Sequence, residues 1–560
     1  MQPPVDLRLV PAAAGAWGAA ALVVALPPRV AALAAVVVAC TVLAVVLVVL
    51  GLPRRLGADV IGHVVLVGVV VAAVCGATAA QLHARSAGGL AAHAVDRPVI
   101  RVEGTLRTAP VALPSAWPGG EPRVRIVLQL AEVEVRGVRS DVAAQVVVLG
   151  GPAWAGLRAG ATVRAAGRLL PAEPAAREVA VIIVPAAPMG MADPPGLWRG
   201  TGQIRAGLGA LAARLPGDAG ALLPGMAVGD TSRLPDDLAD AMRTSGLTHL
   251  TAVSGAHFAL VGAAALTCAT LLGLARPVRA AATAVLLAGF VVLVEPSPSV
   301  LRAAAMGAIG LGGLLVGRPS RALPALGAAV TLLLIADPWL AREVGFALSV
   351  LATAALVLLA GPLAAAWSRT GRTTVAHALA VPFAAQSVCA PVVLLLTPSV
   401  SAYAVVANLV VAPAVAPATV VGLMAALLAP AWPQGALVLA QVAGAGCWWV
   451  GAVARVAAAL PGARVPWVGG VAGAALLGVA TLAAFKLLLA PREPGPEPAG
   501  ARDSLREPSG LEGGSSVAGW GSASHTTPHE SDLARRLTRR PCRDLLGRGA
   551  ARARGARLRG

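Results

Sequence analysis

Hydrophobic runs dominate this chain, and their length is the first signal. Stretches rich in Ala, Val, Leu and Gly recur at or above the roughly 18–20 residues that cross a bilayer. Three open the protein, approximately over 7–26, 30–52 and 60–82. A denser series follows, approximately over 249–275, 280–294, 300–317, 322–336, 344–366, 376–396, 401–429, 435–459 and 468–490. The long segment 401–429 carries Pro413 and Pro417 and is expected to be broken or re-entrant.

Between the two groups the period changes. From about 97 to 187 the text alternates and is rich in turns: "VIRVEGTLRTAP", "PRVRIVLQLAEVEV", "DVAAQVVVLG", "ATVRAAGRLL", "EVAVIIVPAA". Short Val- and Ile-rich runs broken by Gly and Pro read as strands, and about five of them suit a small β-barrel of the OB type. Residues 197–215 set arginines against an aliphatic face, the pattern of an interfacial amphipathic helix. The soluble-looking stretch "LLPGMAVGDTSRLPDDLADAMRTSG" follows, with a helix start at Pro235-Asp236-Asp237.

The pattern therefore predicts a polytopic α-helical membrane protein of roughly 10–12 transmembrane helices with an inserted small β-rich, OB-like extracytoplasmic domain. Its parts are N-terminal transmembrane helices at 1–84, the β domain at 97–188, amphipathic or interfacial helices at 197–247, a transmembrane bundle at 248–490 and a tail at 491–560.

Composition agrees. Of 560 residues, 57% are hydrophobic and 13% charged, with a mean hydropathy of +0.76; a soluble domain carries about twice that charged share. No small-residue cleavage site stands out after the first span, so it is expected to remain as an anchor. The net charge of +18 is almost wholly arginine, with Lys486 the single lysine, a bias that also fits a GC-rich genome. Six scattered cysteines, without a CxxC pair, signal neither zinc nor a disulfide framework. Neither a cofactor nor a metal site is expected.

Charge also sets the sidedness. Arg54/Arg55, Arg276/Arg279, Arg318/Arg321 and Arg369/Arg372 fall on every second connection, and the acidic loops "EPSPS" and "DPWLARE" fall on the others. By the positive-inside rule this puts the β domain outside, the C-terminal tail in the cytoplasm and the whole in the plasma membrane. The tail carries ten arginines and one acid, Asp544, between Arg535 and Arg559. Such a composition builds no core; the tail either touches anionic lipid or nucleic acid, or is a remnant without a role.

Polar residues inside a membrane are expensive and mark passages or relays. The stretch "GLTHLTAVSGAHFALV" places His249, Ser254 and His257 close together, with Ser254 and His257 three apart on one helical face. Ser299 and Arg302 stand at the mouth of a later span, and Arg302 is an intramembrane cation unless it snorkels. Glu343 precedes Ser349 in the next polar segment, and Gln386 and Asn408 lie in the spans after that.

In this order, "LLPGMAVGDTSRLP", "GLTHLTAVSGAHFALV", "PSPSVLRAAAMGAIG", "DPWLAREVGFALSVLATAAL" and "AQSVCAPVVLLLTPSVSAYAVVANLVVAP" resemble the competence domain of the ComEC family, the inner-membrane DNA-uptake channels of transformable bacteria. The resemblance extends over about 1–490 and makes 248–490 a competence-type channel domain. His249, Ser254, Gly255 and His257 match the family's signature helix, with Ala256 where a larger aliphatic residue is usual; Ser299, Arg302, Glu343, Gly345, Ser349 and Asn408 fall on other recurrent positions. Many members end in a metallo-β-lactamase-like domain whose His-x-His-x-Asp-His motif is absent here; a truncated, vestigial copy is therefore one alternative.

The resemblance implies single-stranded DNA crossing the membrane during natural transformation, with catalysis left to others. The implied partners are single-stranded DNA, membrane lipid, an extracytoplasmic DNA receptor, a cytoplasmic helicase-like ATPase and a separate nuclease. No GxxxxGK[ST] motif is present. Arg101, Arg107, Arg123, Arg125 and Arg164 of the β domain are the candidate DNA approach; the arginines of that domain are partly offset by Glu103, Glu121, Glu132, Glu134 and Asp141. Only Trp117 and Trp154 are aromatic there, so base stacking is weakly supported. The rival reading is an intramembrane serine hydrolase using Ser254 and His257. A small-solute transporter would need internal repeats, and none is visible.

Overall fold

The structure, a computed structural model, describes residues 6–51, 58–86, 89–113, 123–251, 253–295, 297–316, 321–368 and 373–490. Arg54, Arg55, Arg318, Arg369, Arg372, Trp117, Glu121 and the Arg-rich tail lie outside them.

Helices α1 (Val10–Val23), α2 (Pro28–Gly51) and α3 (Ala58–Ser86) form the first group. Small residues let them approach: a Cβ on Gly15 would lie 3.0 Å from Val71, and one on Gly68 3.2 Å from Val42. In lipid this close packing replaces the hydrophobic drive that water supplies to a soluble bundle. A short helix, α4 (Leu90–Val95), leads into the β domain and buries Leu90 and Ala94 in its core.

The β domain comprises β1 (Val99–Leu106), β2 (Val111–Leu113), β3 (Arg123–Val135), β4 (Val138–Asp141), β5 (Gln145–Gly150), β6 (Thr162–Pro171), β7 (Ala180–Val184) and β8 (Met191–Ala192). Its main path runs β1-β3-β5-β7-β6, and β6 pairs back onto β1 to close a five-stranded barrel. Every pairing is antiparallel except β5–β7, which is parallel. Residues alternate inward and outward, with Ile100, Val102 and Leu106 buried along β1 and Arg101 and Glu103 facing out. The ladder slips at Glu103/Gly104. A Cβ on Gly104 would stand 2.7 Å from the Gln129 carbonyl oxygen, so glycine is required at this bulge.

Three helices connect the barrel to the main bundle: α5 (Gly196–Ala212), α6 (Gly217–Val228) and α7 (Asp236–Thr244). The stretch that reads as soluble is divided. Helix α7 keeps its acids exposed, whereas α6 buries Leu222, Leu223, Met226 and Ala227 in the largest core of the molecule. The reason is composition: within α6 only Asp218, in the first turn, is charged, so the helix has no face that needs water.

The main bundle contains α8 (Gly255–Leu271), α9 (Arg276–Val294), α10 (Pro298–Leu315), α11 (Ala322–Ala336), α12 (Val344–Ala355), α13 (Gly361–Ser368), α14 (Thr373–Val393), α15 (Ala404–Leu428), α16 (Pro433–Ala459) and α17 (Gly470–Leu489). Strands β9 (Ser399–Ser401) and β10 (Arg464–Pro466) pair beside it. Among the described residues eight helical segments are long and apolar enough to cross a membrane, and four shorter apolar helices accompany them. The chain is a polytopic helical membrane protein with an inserted barrel.

Two details differ from the sequence reading. Helix α15 runs unbroken through Pro413 and Pro417; a proline removes one donor locally, and packing against neighbouring helices tolerates it. The interruption falls instead at Leu356–Ala360, a π-turn joining α12 to α13 in one continuous span. Such π-bulges shift the register of the faces on either side.

The acidic loops lie on the barrel side of the bundle. The Ala109 amide donates to Glu295 at 3.4 Å, and Arg177, between β6 and β7, pairs with Asp337 and, at 3.1 Å, with Glu343. Arg321 and Asp6, at the opposite ends of α11 and α1 from that junction, pair at 3.9 Å.

Candidate functional site

The start of α8 organises the site. Ser254 is its N-cap, in extended conformation, and forms a reciprocal capping box with His257. The Ser254 hydroxyl accepts from the His257 backbone, and the Ser254 amide donates to His257 Nδ1 at 2.9 Å. Histidine takes the place usually held by Glu or Gln. Because Nδ1 accepts a backbone N–H, the neutral ring carries its proton on Nε2. His257 is 1% exposed, and this Nε2 has no partner among the described residues.

Arg302 approaches from α10. It does not snorkel: only 6% of it is exposed. Its Nε donates to Ser349 Oγ of α12 at 2.8 Å, and Nη1 meets Met306 Sδ at 3.2 Å. Nη2 lies beside α8, 2.7 Å from where a Cβ on Gly255 would stand, so glycine at the first helical position admits the guanidinium. No carboxylate pairs with Arg302 among the described residues. A guanidinium buried with a serine and a thioether for company bears a desolvation cost of several kcal/mol that nothing shown offsets.

Ser254, Gly255, His257, Arg302 and Ser349 thus converge from three helices separated in sequence. Ser299 lies in the first turn of α10, on the approach to Arg302, but the cap of that helix is Ser297, whose hydroxyl accepts the Val300 amide at 3.4 Å. The pattern "PSPS", with Pro298 at the first helical position, carries that signal. Asn408 donates to Ala404 O of its own helix at 2.8 Å. Gln386 is half-buried on α14, which packs against α12. His249 is on the 3₁₀ turn Thr248–Leu250 ahead of the cap and is exposed.

Glu343 belongs elsewhere. It caps α12 and faces the barrel, where Arg177 holds it together with Asp337. Burial pushes its carboxyl above the usual glutamate range; Arg177 opposes the shift, while Asp337 and Glu178 add to it. A second polar junction sits nearby, with Arg205 of α5 donating to Val228 O at 2.7 Å and Leu293 O at 3.1 Å and pairing with Glu295 at 3.7 Å. Arg177, Arg205 and Glu295 carry no sequence signal that would single them out from the other charges of the loops and of α5.

The β-domain arginines are largely engaged with acids. Arg101 stands opposite Glu134 and pairs with it at 3.4 Å, and Arg164 stands opposite Glu103 and pairs at 2.6 Å. Arg139, opposite Glu134 on β4, adds a contact at 3.4 Å. Antiparallel register sets these pairs side by side on the outer face. Arg125 pairs with Glu178 at 3.0 Å. Arg107 and Arg123 are exposed and make no ion pair among the described residues. Trp154 is fully buried, with Nε1 bonded to Ala186 O at 2.9 Å, which removes it as a stacking platform.

Comparison with known proteins bears on residues 226–492, which match the family model described as "Competence protein". The chain is also 32% identical over 144 residues to ComE operon protein 3 of Bacillus subtilis (strain 168), an alignment covering 26% of this chain and 19% of that relative. The chain therefore spans about a fifth of the relative's length in that match. No solved structure matches. The matched region contains the Ser254–His257 cap, Arg302 and Ser349, so the part of the chain that carries the site is similar to competence proteins.

Proposed function

We propose that this protein carries single-stranded DNA across the cytoplasmic membrane during natural transformation, with the α8 cap, Arg302 and Ser349 lining or gating the passage. The observation that carries this reading is Arg302: a buried cation without an acid partner among the described residues, at the start of an apolar helix in the region similar to competence proteins. His249, Ser254, Gly255, His257, Ser299, Gln386 and Asn408 are read as further positions along the path. Glu343 is read as part of the junction that seats the barrel over the bundle, and Arg107 and Arg123 as the free cations of the approach. The barrel faces outside and the C-terminal tail the cytoplasm. An extracytoplasmic DNA receptor, a cytoplasmic helicase-like ATPase and a separate nuclease complete the system.

The test is uptake of labelled DNA in cells lacking this gene, complemented by wild type or by His257→Ala. The expected result is normal surface binding with loss of cytoplasmic single strands, restored only by wild type. Normal uptake in the deletion strain would refute the proposal.

One observation favours a second reading. Ser254 Oγ lies 3.1 Å from His257 Nδ1, within reach of a Ser–His hydrolase dyad. The same Nδ1 already accepts the Ser254 amide, and no carboxylate orients Nε2 among the described residues. The pair is better explained as a helix cap. Labelling of Ser254 by a fluorophosphonate probe would reverse that preference.

A further inference from the structure

Among the described residues Arg302 and His257 are the only arginine, lysine, histidine, aspartate or glutamate side chains more than nine-tenths buried, and they meet at one helix start. We propose that Arg302 Nη2 and the opening amides of α8 form a subsite for a single phosphodiester group of the passing strand, so that passage is read through backbone charge. The inference rests on the proposed DNA passage and specifies what one point of it recognises.

The donors are in place. The Ser254 and His257 amides are consumed by the capping box. The amides of Gly255 and Ala256 open the helix without an intrahelical acceptor, as the first turn of any helix requires. Nη2 of Arg302 lies beside them with no hydrogen-bond acceptor among the described residues. The positive end of a helix 17 residues long adds to the guanidinium's field. The unpartnered His257 Nε2–H is a further buried donor at the same cap.

An anion fits this inventory. Donors outnumber acceptors, the nearest side chains are a serine and a thioether, and a buried cation left this way is stabilised by a visiting negative charge. Guanidinium geometry matches phosphate oxygens. A strand phosphodiester is favoured over a lipid headgroup because Arg302 is held between helices by Ser349 rather than turned to the bilayer face. The barrel presents no exposed aromatic among its described residues, which also favours reading charge over reading bases.

The purified full chain in nonionic detergent, titrated with a fluorescein-labelled oligothymidylate and read by anisotropy over a salt series, tests this. Arg302→Gln is expected to weaken binding about tenfold and to lower the slope of log affinity against log salt by about 0.7. Gly255→Ala, which keeps every charge but pushes Nη2 aside, should weaken binding comparably. It provides a second route if Arg302→Gln fails to fold by gel filtration. A methylphosphonate strand of equal length, lacking backbone charge, should bind the wild type and Arg302→Gln alike.

If wild type binds and imports DNA while both variants keep its affinity and salt slope, the subsite is wrong and the channel reading stands. If wild type neither binds nor imports strands, the channel reading fails and the subsite with it. Equal loss for charged and methylphosphonate strands would assign Arg302 a purely structural role. Displacement of the strand by phosphatidylglycerol from wild type but not from Arg302→Gln would assign the site to lipid. Either result overturns the proposal.

Discussion

Replacing Arg177 by Met should free the barrel from the start of α12. Among the described residues Arg177 is the single cation paired with Asp337 and Glu343, and the three side chains are 33%, 30% and 35% exposed. That places the cluster between exposed ion pairs, worth up to about 1 kcal/mol, and buried ones, whose breakage costs about 3–5 kcal/mol. Arg177 Nε and Asp337 Oδ1 are buried without hydrogen-bond partners among the described residues, so part of the gain is already spent on desolvation. A loss of about 2 kcal/mol follows, or about thirtyfold in local opening. Neighbouring contacts limit the opening to the junction: Arg85 stacks on Trp339 at 4.6 Å, and Gln81 donates to Ile335 O at 3.0 Å. Hydrogen exchange should show amides of 339–347 exchanging about thirtyfold faster, with those of Val146–Val148 in the barrel unchanged. Unchanged exchange at 339–347 would refute the reasoning, and faster exchange throughout the barrel would show that Arg177 stabilises the domain itself.

The same junction carries a pH dependence of definite sign. Burial raises the Glu343 carboxyl in the folded protein, so this residue's contribution favours the closed junction at low pH and is lost as pH rises through the raised value. The charged groups facing it are Arg177, Asp337 and Glu178. Glu343→Gln holds the neutral form and should flatten exchange of 344–347 against pH above the ordinary glutamate range; an unchanged slope would contradict the assignment. Asp237 behaves oppositely: its hydrogen bond with Arg455, at 2.8 Å, holds it below the usual aspartate range. Its contribution is present above the ordinary value and lost as pH falls through the lowered one, so Arg455→Met should abolish acid-dependent exchange in α7. Trp154→Ala removes a fully buried ring and its bond to Ala186 O, and should cost the barrel about 3–5 kcal/mol, read as faster exchange of Val146–Val148. Ser254→Ala should destabilise the first turn of α8 by about 1 kcal/mol, and Ser254→Asn should restore both that turn and DNA uptake; a nucleophile would not be rescued this way.

Much of the architecture was legible from local pattern. Run length marks spans because bilayer thickness sets it, and period-two alternation marks the barrel strands because neighbouring side chains on a strand face opposite sides. The acidic loops "EPSPS" and "DPWLARE", which alternate with basic ones along the chain, contact the barrel. Of the polar residues singled out, Ser254, Gly255, His257, Arg302 and Ser349 do come together, although Arg302 and Ser349 are 47 positions apart. Partnership is what the pattern leaves open. Glu343 reads like its neighbours in sequence yet serves the barrel junction, because the loop bearing Arg177 lands beside it. Arg101 and Arg164 read as candidate DNA contacts among nearby acids, and strand register sets Glu134 and Glu103 directly opposite them. Helix α6 reads as a surface segment until α15 and α16 cover it, with a Cβ on Gly422 of α15 3.0 Å from Leu223 marking how closely that layer packs. A periodicity states which face of an element avoids water, whereas the charge or helix that meets that face is set by contacts hundreds of residues apart, which only the folded chain supplies.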